Sequence, residues 1–339
     1  QPVQLVLKDR KVDFYYEDIR QMSSDEEKRA FITGYKERDR NRAFILSKDA
    51  LMRTAFIRTH DDVYAFIWSF HHILLDGWCI AIIASEFFAI YSNLLRNRDY
   101  RLPPAKPYRT YIEWLGKQDE NVSKHYWIEY LAGYDEKIEI PKAGEAPGSA
   151  TAGEDRQGIR EAAFVLSSED TARLNRMVDR LHVTLNTLVQ TAWAIQVGSY
   201  GPNAVKDVVF GAVVSGRPAE IEGVESMVGL FINTIPVRYR YKKNTPLKEL
   251  LRTAQQKALE SDPYHYYPLA RIQADSALKR DLIDHILAFE NFPSQIRQED
   301  DTNGSREERT APAAAVLTFS ESDAFVSTNY DLEVVVVPG

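Results

Sequence analysis

Residues 52 to 95 constrain the fold more than any other stretch of the 339-residue chain. Residues 52 to 60 and 63 to 71 are rich in β-branched and aromatic types, with Asp61-Asp62 between them as a tight turn, so they read as a β-hairpin. A polar loop follows at once. From Trp78 the apolar residues Ile80, Ile83, Ala84, Phe87, Phe88, Tyr91, Leu94 and Leu95 recur at steps of three and four, the stripe of an amphipathic helix. The order is strand, short loop, helix, and an α/β (α+β) class is expected for the chain.

The rest of the chain extends this alternation. Tyr111, Ile112, Trp114 and Leu115, then Val122, Tyr126, Tyr130 and Leu131, predict one or two helices built on aromatic anchors. Residues 143 to 153 are small, polar and glycine-rich, with too little apolar surface to offset the entropy of ordering them. We therefore expect an N-terminal lobe over residues 1 to 142, a linker over 143 to 160, and a C-terminal lobe over 161 to 339. Two lobes also suit the length, which exceeds what one core usually spans. In the second lobe, Phe164-Val165-Leu166 reads as a strand, and Ser167 with Asp170 as a weak capping box. Helices carrying Leu174, Met177, Val178 and Leu181, then Leu185, Leu188, Val189, Ala192 and Ile195, should follow. Strands are expected at 207 to 214, 232 to 239, 283 to 290 and 314 to 320, and a helix near 246 to 260. Pro293 to Pro312 is charged and turn-rich and reads as a loop. The opening residues from Gln1 look polar and extended, with no leader pattern. The closing run Asp331 to Val337 reads as a buried strand that stops abruptly, so we expect a piece of a longer polypeptide.

Composition narrows the function classes. With 44% hydrophobic and 27% charged residues, no stretch approaches an unbroken membrane-crossing run, and no membrane role is expected. A net charge of -7 lacks the concentrated basic face that a polyphosphate backbone demands, so no nucleic-acid partner is expected. Cys79 is the single cysteine, which rules out an internal disulfide and a multi-cysteine zinc cluster and fits a reducing cytoplasm.

One heptapeptide stands out between hairpin and helix: His71-His72-Ile73-Leu74-Leu75-Asp76-Gly77. If His71 still belongs to the strand, adjacent side chains point to opposite faces, so the two imidazoles cannot easily share one metal ion. No metal is expected. One histidine would pack or hydrogen-bond inside the fold while the other, taken as His72, projects toward substrate. Asp76 lies among Leu74, Leu75 and Trp78, so burial beside a cation is its natural resolution, and Gly77 would let a substrate backbone approach the helix start. A His-His pair alone reads as ordinary packing; the full spacing with Asp-Gly weighs against that. The chain has no Gly-x-Ser-x-Gly elbow, His-Glu-x-x-His helix or glycine-rich phosphate loop, which leaves histidine as the leading catalytic candidate.

The heptapeptide resembles the signature of condensation domains of nonribosomal peptide synthetases and, more widely, of the chloramphenicol acetyltransferase-like superfamily. Val228 to Arg238, reading Val-Gly-Leu-Phe-Ile-Asn-Thr-Ile-Pro-Val-Arg, is similar to a second condensation-domain motif. Tyr108 to Trp114, Ser215-Gly216-Arg217-Pro218 and Tyr267-Pro268-Leu269 resemble further family motifs. For Trp114 and Tyr267 helix and turn packing is the expected role, and for Asn233 scaffold and substrate-channel roles weigh about equally.

The resemblance implies two chloramphenicol acetyltransferase-like lobes, mixed sheets flanked by helices, and an active site in a tunnel between them. It implies an acyltransferase that forms a peptide bond between a donor thioester and an acceptor amine. No cofactor is bound directly; both substrates ride on 4'-phosphopantetheine of carrier domains, with an adenylation domain alongside. His72 would accept the amine proton or align the amine, His71 would pack or hydrogen-bond inside the fold, and Asp76 would pair with Arg217. Gly77 would help hold the amine or oxyanion, and Trp78 with Asn233 would line the substrate channel. A thioester is already activated, which removes the need for an enzyme nucleophile. An α-amine near pKa 8 facing an imidazole near 6.5 leaves ground-state proton transfer uphill by about 2 kcal/mol, a gap that closes as the carbon-nitrogen bond forms. Family motifs expected upstream of Gln1 are absent, and Cys79 stands where serine is more usual, with no consequence expected. The alternatives are an epimerisation domain of the same superfamily and a non-catalytic carrier-binding scaffold.

Overall fold

In the computed structural model the β-rich runs form β2 (Met52–Arg58) and β3 (Tyr64–Phe70), antiparallel, with Met52 opposite Phe70 and Arg58 opposite Tyr64. The structure describes residues 4–7, 9–141, 161–291 and 328–338. A strand not anticipated from the sequence, β1 (Asp13–Asp18), adds to β2 in parallel register, from Asp13 beside Arg53 to Asp18 beside Arg58. Between them lies α1 (Asp25–Asn41), also unanticipated. Its buried residues include Lys28 and Asp39 rather than an apolar stripe, so periodicity could not reveal it. Its start is nevertheless written in the chain. The Ser24 hydroxyl accepts from Glu27 N at 3.2 Å while the Glu27 carboxylate accepts from Ser23 N at 2.9 Å, and the first turn is acidic, as a helix N-terminus favours. Along β2, Arg53, Ala55 and Ile57 face inward on alternate positions.

The helix after the hairpin is α2 (Gly77–Leu95). By length and composition it could cross a membrane, contrary to the expectation that no stretch would. Ser85, Glu86, Ser92 and Asn93 interrupt the run, but its other residues keep the helix apolar on average.

Contacts group the described residues into two compact units, one of residues up to Tyr108 with Glu225–Phe231, the other of the remainder from Arg109 onward. Helices α3 (Arg109–Leu115) and α4 (Glu120–Tyr130) thus fall in the second unit, not in a lobe of residues 1 to 142. The reason is packing: Trp127 and Leu131, at the end of α4, share a core with Val209, Ile235 and Ile286. The linker expected at 143 to 160, the loop from Pro293 to Pro312 and the strand at 314 to 320 lie outside the described residues.

The second unit is built on a mixed sheet of order β5-β4-β6-β7, comprising β4 (Val205–Val214), β5 (Asn233–Lys242), β6 (His285–Phe289) and β7 (Leu332–Val336). β4 and β5 are antiparallel, whereas β6 pairs parallel with both β4 and β7. Successive residues of β4 serve opposite faces, as a pleated strand must. Val209 joins Trp127 and, from α8 (Leu269–Asp275), Ile272. Val208 and Phe210 join Ala194 and Val197 of α6 (Leu185–Tyr200) and Leu250 of α7 (Leu247–Ser261). The expected capping box at Ser167 starts α5 (Ser168–Leu181), whose cap hydroxyl accepts from Asp170 N at 3.1 Å. Two strand expectations change. Phe164-Val165-Leu166 forms no strand, and Phe164 and Val165 are exposed; among the described residues the three have no pairing neighbour, and an unpaired extended segment gains little. The terminal run does form β7, but Leu332 and Val335 are exposed rather than buried.

Candidate active site

The site is assembled where β3 gives way to α2. Asp76 has extended backbone angles, φ -104° and ψ 178°, and caps the helix, its Oδ1 accepting from Cys79 N at 3.2 Å. A carboxylate here meets the positive end of the helix dipole. The residue is fully buried, and its Oδ2 accepts from Phe231 N at 3.1 Å. Two motifs separated by 155 positions therefore meet at one carboxylate.

Around that contact the segment Glu225–Phe231 is held at Glu225, Gly229, Leu230 and Phe231. Trp78 Nε1 donates to Glu225 O at 2.9 Å. The Cys79 thiol lies within hydrogen-bonding distance of Asp76 Oδ1 at 3.2 Å and Gly229 O at 3.1 Å, and its sulfur accepts from Gly229 N at 3.3 Å. Cys79 joins the aspartate to the glycine motif, and burial pushes its thiol pKa up. The Tyr108 hydroxyl donates to Leu230 O, and its ring meets Phe231 edge-on with centroids 5.1 Å apart. Gly229 is glycine because of this ring: a Cβ there would fall well inside van der Waals contact with the Tyr108 ring carbons.

The histidines occupy a turn closed by Leu74 N donating to His71 O at 3.0 Å. His71 lies one residue beyond β3, although its backbone N still donates to Leu51 O at 2.9 Å, so the turn rather than strand alternation separates the two rings. His71 is half-buried; its Nδ1 accepts from Ile73 N at 3.1 Å and its ring meets Phe44 edge-on. A backbone N–H can only donate, so Nδ1 carries the lone pair and the ring proton sits on Nε2. His72 is exposed, and among the described residues its ring has no hydrogen-bond partner. Gly77 opens α2 directly after the cap.

The remaining candidates belong to the second unit. Arg217 follows Gly216, whose φ of 60° favours glycine, and its Nη1 donates to Val224 O at 2.6 Å. The Asn233 amide donates to His265 O at 2.7 Å and Tyr267 O at 2.8 Å, so its protons hold the Tyr267-Pro268-Leu269 turn in place. Tyr111 is buried, which pushes its hydroxyl up to about 12. Among the described residues no group of three or more His, Cys, Asp or Glu is arranged to hold a metal ion. Spacing in the sequence points to the heptapeptide but not to Cys79 or Phe44, which sit outside any pattern of reactive side chains.

The condensation-domain family model matches residues 1–339. Gramicidin S synthase 2 of Brevibacillus brevis is 40% identical over 339 residues, covering 100% of this chain and 7% of that protein. Bacitracin synthase 3 of Bacillus licheniformis is 44% identical over 292 residues, 86% of this chain and 4% of that protein. The chain thus spans a small part of each relative's length. Among solved structures, the starter condensation domain of rhizomide synthetase superposes with a TM-score of 0.64 at 15% identity, over 84% of this chain and 62% of that one. The epimerization domain of the third module of tyrocidine synthetase B gives 0.62 at 19% identity, over 83% and 65%. At these identities the structural likeness speaks for the fold alone. The family match runs the whole length of the chain and passes through both segments that meet at Asp76, and on that ground the chain belongs to the condensation-domain family.

Proposed function

We propose that the chain is the peptide-bond-forming unit of a nonribosomal peptide synthetase, with His72 at the reacting amine. The observation that carries this reading is the contrast within the heptapeptide. His71 is engaged inside its own turn and Asp76 is fully buried, while His72 alone of the three presents an exposed ring without a partner among the described residues. The α-amine of an acceptor aminoacyl thioester attacks the carbonyl carbon of a donor thioester. The carbon-nitrogen bond forms, the carbon-sulfur bond breaks, and the proton lost by the amine passes through His72 to the departing thiolate. A thioester needs no metal or enzyme nucleophile for this step. Gly77, at the positive end of α2, is suited to the developing oxyanion.

Substrates of this kind are tethered by 4'-phosphopantetheine to carrier domains, with an adenylation domain supplying them. The great length of the synthase relatives, of which this chain spans 7% and 4%, supports such neighbours. A single cysteine, buried, is compatible with a reducing cytoplasm. In the test, donor and acceptor thioesters on separate carriers are supplied to the synthetase bearing this chain, and the acceptor carrier is followed by mass spectrometry. A dipeptidyl thioester on the acceptor is the expected product. Loss of an α-deuterium without bond formation identifies an epimerase, and neither event identifies a carrier-binding scaffold; either result overturns the reading.

A further inference from the structure

A second network lies behind His71. Arg53 on β2 is nearly fully buried and divides its guanidinium among three oxygens: Nε donates to Asp39 Oδ1 at 2.8 Å, and Nη2 to Asp39 O at 2.9 Å and Arg42 O at 2.8 Å. Asp39 Oδ2 is held in turn by the Ser69 hydroxyl, and Ser69 faces Arg53 across the β2–β3 ladder two residues before His71. Among the described residues, Nη1 has no oxygen or nitrogen partner. The guanidinium carbon lies 4.0 Å from the centroid of the Phe44 ring, so the unshared N–H groups rest on an aromatic face. Phe44 also meets the His71 imidazole, with centroids 6.2 Å apart and planes at 70°. The ring thus links a buried cation to a histidine.

We propose that Arg53 and Phe44 are positioning residues for the histidine turn: the Arg53-anchored Phe44 ring fixes the His71 imidazole in the orientation that accepts from Ile73 N, and so fixes the direction in which His72 projects. The inference rests on the reading that His72 is the reactive group, and deepens it. The chain of contacts is short. If Phe44 no longer bounds the His71 ring, rotation about χ2 removes Nδ1 from Ile73 N, and the His71–Leu74 turn loses one of its two hydrogen bonds. His72, with no partner of its own among the described residues, takes its direction from that turn. Small displacements of a reacting group cost large factors in rate.

The test pairs a spectroscopic readout with a kinetic one. Nitrogen-15 spectra of the 339-residue chain report which His71 nitrogen carries the proton, independently of turnover. Wild type should show Nδ1 unprotonated. Phe44→Leu and Arg53→Lys should each shift His71 toward a mixture of tautomers, and in the synthetase each should lower single-turnover amide formation about 10-fold to 10²-fold at saturating donor and acceptor. Phe44→Tyr, which keeps the ring, should restore both. Should Arg53→Lys fail to fold, Phe44→Leu carries the test, since it removes no partner of a buried ion pair. A folded Phe44→Leu chain with the wild-type tautomer overturns the anchoring, and a shifted tautomer with an unchanged rate overturns the positioning role. His72→Ala is run alongside: an unchanged rate there removes the catalytic reading itself, an outcome distinct from either.

Discussion

Replacing Asp76 with alanine should destabilise the first unit by about 3 kcal/mol, the balance of the contacts made by a fully buried carboxylate. Loss of the helix cap at Cys79 N costs about 1 kcal/mol. Leaving the buried Phe231 amide without an acceptor costs about 1–3 kcal/mol. The thiol contact of Cys79 adds a smaller loss, and release from burying a charge offsets part of the total. Asp76→Asn should cost less, because one oxygen can still cap α2 while the amide nitrogen cannot accept from Phe231 N. Native-state hydrogen exchange reads the effect locally, which matters in a protein of two compact units where a single global transition is not assured. The Phe231 amide should exchange about 10²-fold faster in Asp76→Ala, following the tenfold change per 1.4 kcal/mol. A change under about threefold at Phe231, with Cys79 equally unaffected, would refute the claim that this carboxylate holds the two motifs together.

Gly229→Ala should lower stability by about 1–3 kcal/mol, because the new methyl collides with the Tyr108 ring and the aromatic side chain must move; a Tm equal to wild type contradicts it. Cys79 should react slowly with iodoacetamide at neutral pH until the protein unfolds, since burial both shields the thiol and raises its pKa; fast labelling of native protein contradicts this. Asp284 is held down to about 2, first by the hydrogen bond with His285 and then by Lys137, despite partial burial. Its folded pKa lies below its unfolded value, so its contribution is present above about pH 4 and is lost as pH falls toward 2. Asp284→Asn should flatten the stability profile across that window, and an unaltered profile contradicts the assignment.

What can be read from the sequence follows from where its signals are local. The hairpin and α2 are legible because period-two and period-3.6 patterns are carried by adjacent residues. α1 is not, because it turns Lys28 and Asp39 inward and satisfies Asp39 through a long-range partner, Arg53, a solution no window of sequence displays. The opposite error arises at Phe164-Val165-Leu166, where strand-forming residues have no neighbour to pair with among the described residues. At the site, the reactive types are legible from spacing, and the burial of Asp76 from its apolar flanks. Its bond to Phe231 N spans 155 positions, and the use of Cys79 as a link depends on how closely Gly229 approaches, so neither is visible before the chain is folded.

If His72 handles the proton of the attacking amine while His71 supports the turn, the two alanine variants must behave differently. Single-turnover formation of the acceptor-bound dipeptidyl thioester should fall roughly 10²–10⁴-fold in His72→Ala without loss of fold, the size of a general acid-base contribution, whereas His71→Ala should act mainly on stability. A His72→Ala enzyme that condenses at the wild-type rate, or a stable His71→Ala enzyme that does not condense at all, would contradict it.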